Sequence, residues 1–297
     1  MNMHPAQFYS KSGELSVTCE LCPHRCIIGA GKTGRCHVRE NVGGELFARM
    51  YGVVPSLSLD PIEKKPLYHF HPGSFILSAG GFGCNLSCRF CQNYEISQTG
   101  GPPDAATITS ETLVTAALDA LKRKNIGIAY TYNEPLVNYE FVYDTAVLAH
   151  RAALKNVLVT NGFINPEPMK KLLPFIDAMN IDLKAFTDSF YKKICGGHLD
   201  PVLSTISLCV PSCHIEVTTL VIPGSNSDPA EIDALASWLA SVSPEIPLHL
   251  NRHHPSFLMA EPAPISREAL LALGTIARAH LKYVHCGNIP DPIQQLP

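Results

Sequence analysis

From about residue 75 onward, short apolar segments alternate with amphipathic ones, and this alternation constrains the fold more than any other feature of the sequence. The apolar segments are FILSAG (75–80), IGIAYTY (126–132), VLVT (157–160), AMNIDLK (178–184), IEVTTLVI (215–222), IPLHL (246–250) and KYVHC (282–286). Most are apolar along nearly their whole length, as is typical of parallel strands covered on both faces. The alternation predicts right-handed βαβ units around a parallel sheet, which is an α/β fold.

Two of the intervening segments predict helices from the spacing of their apolar residues. The first begins at a predicted N-cap, Ser110, and has an apolar stripe of Val114, Ala117, Leu118 and Leu121. The second begins after Asp228, with Pro229 in its first turn and Glu231 completing a capping box. Its apolar stripe is Ile232, Leu235, Ala236 and Leu239.

The number of strand–helix units favours an incomplete barrel. A closed eight-unit barrel typically takes about 250 residues, whereas about 220 residues and six or seven strands are available after residue 75 of this 297-residue chain. We therefore predict a partial (β/α)6-type TIM barrel over residues 75–297. Residues 1–60 are glycine-punctuated and have no helical period, so they form a predicted small Cys-rich metal-binding segment, and PIEKKPLYHFHPGS (61–74) is a predicted connector.

Composition and charge exclude several classes of partner. The formal net charge is -3, and there is no long basic run, so a nucleic-acid partner is not expected. No apolar run reaches the roughly 18 residues of a membrane span, and the N-terminus lacks the apolar stretch of a signal peptide. We expect a cytoplasmic protein with no membrane partner. The 11 cysteines then favour metal ligands and buried thiols over disulfides.

Polar and turn-forming residues follow the predicted strands at their carboxyl ends. In chain order they are GFGCNLSCRFC, YNEP, TNG, the DLK element, IPG and HLNRHH. Because the carboxyl ends of parallel strands meet at one edge of the sheet, these groups are expected to converge there. The sequence therefore predicts a functional site at this edge.

Three cysteines follow the first predicted strand with the spacing CxxxCxxC: Cys84, Cys88 and Cys91. Three thiolates on one loop can hold an iron–sulfur cubane and leave one iron open to a ligand that is not protein. A distant fourth cysteine, such as Cys195 or Cys286, would instead close an electron-transfer cluster. A small zinc knuckle is the third interpretation.

Four more cysteines cluster near the N-terminus: Cys19, Cys22, Cys26 and Cys36. On glycine-rich turns they suit a closed tetrahedral zinc site, which we slightly favour, and they could equally hold an auxiliary iron–sulfur cluster. His24 and His37 are possible substitute ligands. The remaining thiols, Cys195, Cys209, Cys213 and Cys286, are predicted core residues.

The segment GCNLSCRFCQN resembles the cluster loop of radical S-adenosylmethionine (SAM) enzymes, with an aromatic residue before the third cysteine. The wider set CELCPHRCIIGAGKTGRCHVR, PIEKKPLYHFHPGS, YTYNEP, VTNG, NIDLKAF, YKKICGG and LVIPG is similar to the AmmeMemoRadiSam-system branch, which is related to pyruvate formate-lyase activating enzymes. The resemblance implies a 4Fe-4S cluster on the three-cysteine loop, with SAM on the open iron. It also implies reductive cleavage of SAM to methionine and a 5′-deoxyadenosyl radical, which takes hydrogen from the substrate.

The resemblance also implies roles for individual residues. Glu134 would contact the SAM amino group, and Asn161 would hydrogen-bond SAM. Asp182 and Lys184 would lie near its ribose and carboxylate, and an ion pair between them would not exclude that role. His249 and Arg252, which end the sixth predicted strand, would face SAM or the substrate.

The implied partners are a low-potential electron donor, such as flavodoxin or ferredoxin, and an unidentified protein or small-molecule substrate. The alternatives are a non-catalytic iron–sulfur or zinc-binding protein and an RNA-modifying radical SAM enzyme. Many related sequences carry a further Cys-Pro-x-Cys tail, whereas this sequence ends in DPIQQLP, so either a metal site using that tail is not expected or the chain is shortened.

Overall fold

The computed structural model describes residues 3–102 and 104–289. Its strands in chain order are β1 (His4–Pro5), β2 (Tyr9–Lys11), β3 (Ser16–Cys19), β4 (Ile27–Gly29), β5 (Arg39–Val42), β6 (Glu45–Ala48), β7 (Ser56–Pro61), β8 (Phe75–Gly80), β9 (Asn125–Tyr130), β10 (Lys155–Thr160), β11 (Ala178–Asp182), β12 (His214–Val221), β13 (Leu248–Arg252) and β14 (Val284–Gly287). Its α-helices are α1 (Tyr94–Ser97), α2 (Ser110–Asp119), α3 (Tyr139–Arg151), α4 (Pro166–Leu172), α5 (Asp188–Phe190), α6 (Asp200–Cys209), α7 (Pro229–Val242) and α8 (Arg267–Ala277). The sequence end DPIQQLP lies outside the described residues.

The central sheet contains eight strands in the spatial order β7 to β14, which is also their order in the chain. Strands β8 to β14 pair in parallel, each with its chain neighbour, and β7 pairs antiparallel with β8. The seven predicted apolar segments supply these seven parallel strands, which confirms the α/β prediction. Within the described residues the edge strands β7 and β14 do not pair with each other, so the sheet is open and no closed barrel forms.

Helix α2 begins one residue earlier than predicted. The cap is Thr109, whose hydroxyl accepts a hydrogen bond from the backbone N–H of Thr112 at 3.2 Å, so Ser110 is already helical. Leu113 is buried with Val114 and Ala117, whereas the predicted stripe members Leu118 and Leu121 are 39% and 48% exposed. The α-helix ends at Asp119, and the tighter turn at 121–123 rotates Leu121 away from the stripe.

Helix α7 begins as predicted, with one exception. The Asp228 carboxylate accepts a hydrogen bond from the backbone N–H of Ala230 at 2.8 Å, and the predicted apolar stripe is buried. Glu231 does not complete a capping box, because its carboxylate accepts the backbone N–H of Phe186 at 2.7 Å. This bond joins the start of α7 to the segment after β11, at the edge where the predicted site lies.

The N-terminal residues form two small antiparallel sheets of three strands each, β1-β6-β5 and β2-β3-β4. A buried ion pair joins this unit to α3: the Arg39 guanidinium contacts the Glu140 carboxylate at 3.0 Å, with side-chain exposures of 1% and 0%. The predicted boundary at residue 60 falls within β7, which belongs to the central sheet. The division of the chain into three parts remains a prediction.

No helix in the described ranges is both long enough and apolar enough to cross a bilayer.

Candidate active site

A cavity of about 340 Å³ opens at the carboxyl ends of the parallel strands. Its wall contains seven of the residues that the sequence singles out: Cys84, Cys88, Cys91, Glu134, Asn161, Asp182 and Lys184. These residues come from the loops and ends of four successive strands, β8 to β11. The predicted convergence at the carboxyl edge is therefore present in the fold.

The loop after β8 is shaped by a glycine and by an asparagine from the next strand end. Gly83 has a φ of +86°, and a Cβ there would lie 2.5 Å from the backbone oxygen of Cys36, so only glycine fits. The Asn133 side-chain amide donates to the backbone oxygens of Phe82 and Gly83 at 3.0 and 2.9 Å. Its oxygen accepts the backbone N–H of Gly81 at 3.0 Å. Asn133 thus fixes the three residues that precede Cys84.

Two of the loop thiols form hydrogen bonds with their surroundings. Cys84 Sγ accepts the backbone N–H of Leu86 at 3.3 Å and the side-chain amide of Asn161 at 3.6 Å. Cys91 Sγ lies 3.1 Å from the hydroxyl of Ser97. Burial raises the pKa of both thiols, so each is uncharged until a metal takes the place of its proton.

The third thiol, Cys88, has a different environment. A hydrogen bond from the thiol of Cys195 lowers the pKa of Cys88 despite its burial, and Lys184 acts in the same direction. Cys195 is fully buried on the turn after α5 and does not line the cavity. Cys286 is also absent from the described cavity wall; its thiol contacts the backbone oxygen of Leu270 at 3.8 Å. Neither candidate for a fourth ligand faces the cavity.

The three thiols of the loop share one space. Cys84, Cys88 and Cys91 line one cavity, although no three His, Cys, Asp or Glu side chains among the described residues already converge on a single metal-ion position. Three soft sulfur donors around a shared space fit an iron–sulfur cubane better than a zinc knuckle.

Glu134 is the buried carboxylate of the cavity, with 2% exposure. One oxygen accepts the hydroxyl of Thr160 at 2.8 Å and the backbone N–H of Leu136 at 3.1 Å. The other accepts the backbone N–H of Asn161 at 2.8 Å and retains a free lone pair. Burial raises the pKa of Glu134 to about 7, although these donors oppose the shift. The carboxyl group is therefore poised to be charged or neutral near neutral pH.

Asp182 and Lys184 form an ion pair at 2.9 Å inside the cavity wall. Burial lowers the pKa of Lys184, but the charge of Asp182 and its hydrogen bond, helped by the nearby Cys88 thiol, outweigh burial and hold this pKa well above its usual value. Lys184 therefore stays charged, and two of its three N–H donors remain available beside Asp182. The ammonium also lies 5.8 Å from the ring centre of Phe90, which lines the same cavity.

The sequence matches the family model of the radical SAM superfamily over residues 80–236. This interval begins just before the cysteine loop and covers more than half of the chain. The chain belongs to the radical SAM superfamily. Membership implies an iron–sulfur cluster and SAM, and the three-thiol cavity suits both.

Curated relatives of this radical SAM protein differ in their sequence identity to it and in the share of each chain that aligns. It is 43% identical over 294 residues to an uncharacterized protein of Methanocaldococcus jannaschii, an alignment that spans 97% of this chain and 86% of that protein. It is 26% identical over 165 residues to the isethionate sulfite-lyase activating enzyme of Nitratidesulfovibrio vulgaris, spanning 52% and 54% of the two chains. It is 25% identical over 120 residues to the 4-hydroxyphenylacetate decarboxylase activating enzyme of Clostridioides difficile, spanning 39% and 38%.

Solved structures resemble the radical SAM protein in fold. The crystal structure of Streptococcus suis SuiB bound to S-adenosylmethionine aligns with a TM-score of 0.55 at 12% identity, covering 71% of this chain and 51% of that chain. A structure of TYW1 with a lysine-pyruvate adduct bound aligns with a TM-score of 0.52 at 15% identity, covering 77% and 84%.

Two residues predicted to face SAM or substrate lie elsewhere in the radical SAM protein. His249 is 2% exposed, and its Nε2 lies 2.6 Å from the carboxylate of Glu216. The Arg252 guanidinium donates to the backbone oxygen of Ile265 at 2.7 Å. Neither belongs to the described cavity wall, which β13 instead reaches through Asn251. A SAM contact for either residue stays a prediction, since only side-chain movement would bring it into the cavity.

Glu216 is a buried residue that sequence reasoning missed. It lies on β12 two residues before Thr218, which lines the cavity, so both side chains lie on the same face of the sheet. Its carboxylate also accepts the backbone N–H groups of Tyr68 and His69 at 3.0 and 2.8 Å. Burial raises the pKa of Glu216, yet its hydrogen bonds, first from His214 and His249, hold this pKa at about 2. A charged residue in an otherwise apolar strand was the signal available in the sequence.

The predicted connector contributes to the cavity wall through Lys64, Lys65 and Pro66. Lys65 pairs with Asp60 at 2.9 Å, and the hydroxyl of Tyr132 donates to the same carboxylate at 2.6 Å. These contacts fix the segment between β7 and β8 over the site, a role that its prolines alone do not reveal.

The N-terminal thiols line a second, smaller cavity together: Cys19, Cys22, Cys26 and Cys36. All four are free cysteines. Burial raises the pKa of Cys22 to about 12 and that of Cys36 to about 11, and the neighbouring thiols add to both shifts. The clustering expected from the spacing is present, while a bound metal stays a prediction.

Proposed function

We propose that this protein uses a 4Fe-4S cluster, held by Cys84, Cys88 and Cys91, to cleave SAM reductively and take a hydrogen atom from a substrate. The observation that carries the proposal is that these three thiols line one cavity with a buried carboxylate, Glu134, and a partly buried ammonium, Lys184. When bound, the cluster would supply the electron for the cleavage.

The two charged side chains match the two charged groups of the amino-acid part of SAM. The free lone pair on Glu134 would accept a hydrogen bond from the SAM ammonium, which favours the ionised form of the carboxyl. Lys184 remains charged beside Asp182 and would donate to the SAM carboxylate. Asn161 bonds to Cys84 and Asn85, so it would hold the loop in position.

We propose further that the substrate is another protein and that a low-potential electron donor, such as flavodoxin or ferredoxin, reduces the cluster. The support is the local similarity to relatives whose names describe activating enzymes. These alignments span only about half or less of those relatives, so a small-molecule substrate is the second candidate.

Cleavage of SAM is tested by anaerobic reconstitution with iron and sulfide, followed by reduction with dithionite and chromatography of 5′-deoxyadenosine. The wild type is expected to form 5′-deoxyadenosine, and the Cys84→Ala/Cys88→Ala/Cys91→Ala variant none above background. Cys209→Ala, at a fully buried thiol outside the cavity, is the control and should retain the activity. A cluster-loaded, reduced wild type that forms no product would refute the proposal.

Cys195→Ala separates an open cluster from a fully cysteine-ligated one. Since Cys195 does not line the cavity, the variant is expected to keep its iron and its SAM cleavage. Loss of iron equal to that caused by Cys91→Ala would identify Cys195 as a fourth ligand and favour an electron-transfer protein. Transfer of deuterium from labelled candidate substrates into 5′-deoxyadenosine would then distinguish protein from small-molecule substrates.

A further inference from the structure

The four N-terminal cysteines are brought together by the small sheets of the N-terminal unit. The backbone N–H of Cys19, at the end of β3, donates to the backbone oxygen of Cys26 at 2.9 Å. A Cβ on Gly34 would lie 3.8 Å from Cys26 Sγ, so the turn that leads to Cys36 packs on that thiol. The four thiols line one cavity.

A buried cation with an unused donor faces the same cavity. Arg39 is 1% exposed and lines the cavity wall with the four cysteines. Its terminal nitrogens bind Glu140 and the backbone oxygen of Gln7, but its Nε has no hydrogen-bond partner. A buried N–H without an acceptor is uncommon and calls for a partner. A thiolate sulfur of a metal centre would supply that acceptor and would carry the negative charge that Arg39 complements.

We propose that Cys19, Cys22, Cys26 and Cys36 form a second metal site, a tetrathiolate centre for zinc or for an iron–sulfur cluster, that positions the loop of the first cluster. No three of these thiols already converge on a single ion in the described residues. Metal binding therefore closes the thiols on one another and tightens the N-terminal unit.

The positioning role follows from contacts on both sides of Cys84. His24, between the second and third ligands, lies with its Nε2 2.7 Å from the backbone oxygen of Asn85. The backbone oxygen of Cys36 packs against Gly83 so closely that no Cβ fits. Two ligand-bearing segments thus brace the residues before and after Cys84. Loss of the N-terminal metal is therefore expected to loosen the loop of the first cluster without abolishing that cluster.

The site itself is tested by metal analysis of the whole chain carrying Cys84→Ala, Cys88→Ala and Cys91→Ala. This variant is expected to retain about one zinc, or about four irons with sulfide, per chain. Adding Cys22→Ser and Cys26→Ser should remove that metal, while adding Cys209→Ser should not. Zinc identifies a closed structural site, and iron with sulfide identifies a second cluster; both support the proposal. A folded variant without stoichiometric metal overturns it.

The positioning role is tested in the otherwise unchanged chain with Cys22→Ser alone, which also serves if the multiple variant fails to fold. Its melting temperature should fall, and its cysteine-loop cluster should be lost severalfold faster in air, as followed by visible absorption and iron content. A metal complement, melting temperature and cluster lifetime equal to the wild type would overturn the proposal. These readouts do not depend on SAM cleavage, so the second site stands or fails separately from the proposed activity.

Discussion

At the scale of single residues, the sequence reveals which types of side chain form the site. It does not reveal the groups that hydrogen-bond to them. Glu134, Asn161, Asp182 and Lys184 stand at predicted strand ends, and all four line the cavity. Of the donors to Glu134, the backbone N–H of Leu136 is local. The hydroxyl of Thr160 and the backbone N–H of Asn161 come from the end of the neighbouring strand and depend on strand register. Burial and register are both three-dimensional properties, so neither the raised pKa of Glu134 nor the donors that oppose the shift could be predicted from sequence.

Glu134→Gln is expected to weaken SAM binding about tenfold or more, because a charge-assisted hydrogen bond contributes about 1.5–3 kcal/mol. The pKa of Glu134 lies at about 7, so the ionised, binding-competent fraction falls as pH drops below 7. Wild-type affinity should therefore decrease from pH 8 to pH 6, while the variant changes less. Equilibrium dialysis of SAM against the cluster-loaded protein measures the affinity of wild type and variant at each pH. Glu245→Gln, a change at an exposed carboxylate, is the control. If the SAM affinity of wild type and Glu134→Gln depended on pH in the same way, the proposal that the Glu134 carboxylate binds SAM would be contradicted.

At the scale of elements, apolar runs predicted the parallel strands well because each is covered on both faces. The difference in helix α2 lies at its first residue, and in one polar cluster the structure shows a partner that the sequence does not mark. The sequence predicts Ser110 as the N-cap of α2, whereas the structure has Thr109 there. Both residue types can accept the capping hydrogen bond, so only the backbone geometry distinguishes them. His249 was expected at the site but bonds to Glu216 on the neighbouring strand, a pairing set by register between β12 and β13.

Glu216→Gln is expected to destabilise the fold by about 3 kcal/mol near neutral pH, from the shift of its pKa from 4.5 to about 2. Because the folded-state pKa is depressed, this stability is fully present above pH 4.5 and is lost as pH falls toward 2. Urea unfolding at decreasing pH should show that the difference in free energy of unfolding between wild type and variant becomes smaller over this interval. A gap that is constant or widens on acidification would contradict the ionised state of buried Glu216.

At the scale of the whole molecule, the N-terminal unit and the central sheet are joined by contacts between distant parts of the chain. Arg39 and Glu140 are 101 residues apart in sequence and form a buried pair. The Asn165 side chain donates to the backbone oxygen of Glu20 at 2.6 Å, which adds a second link. Nothing local in the sequence marks these partners, so the sequence predicted a separate N-terminal segment but not its attachment.

Glu140→Gln is expected to lower the free energy of unfolding by about 3–5 kcal/mol, because it leaves the Arg39 charge buried without its partner. In the metal-free protein, the double change Arg39→Met/Glu140→Leu replaces both charges with apolar groups and should restore part of that loss. Urea unfolding of the two variants and the wild type measures the difference. A double variant that is less stable than Glu140→Gln would show that the ion pair itself stabilises the fold, beyond each charge neutralising the other.

The strand order of the central sheet has a consequence for how the molecule is built during translation. Each parallel strand lies beside the one made immediately before it, so the sheet can lengthen as the nascent chain leaves the ribosome. The N-terminal unit, although synthesised first, has to wait for Glu140 and Asn165 before its buried polar groups are satisfied. The part of the protein that is made earliest therefore reaches its final packing only after β10 and the segment that follows it have been synthesised.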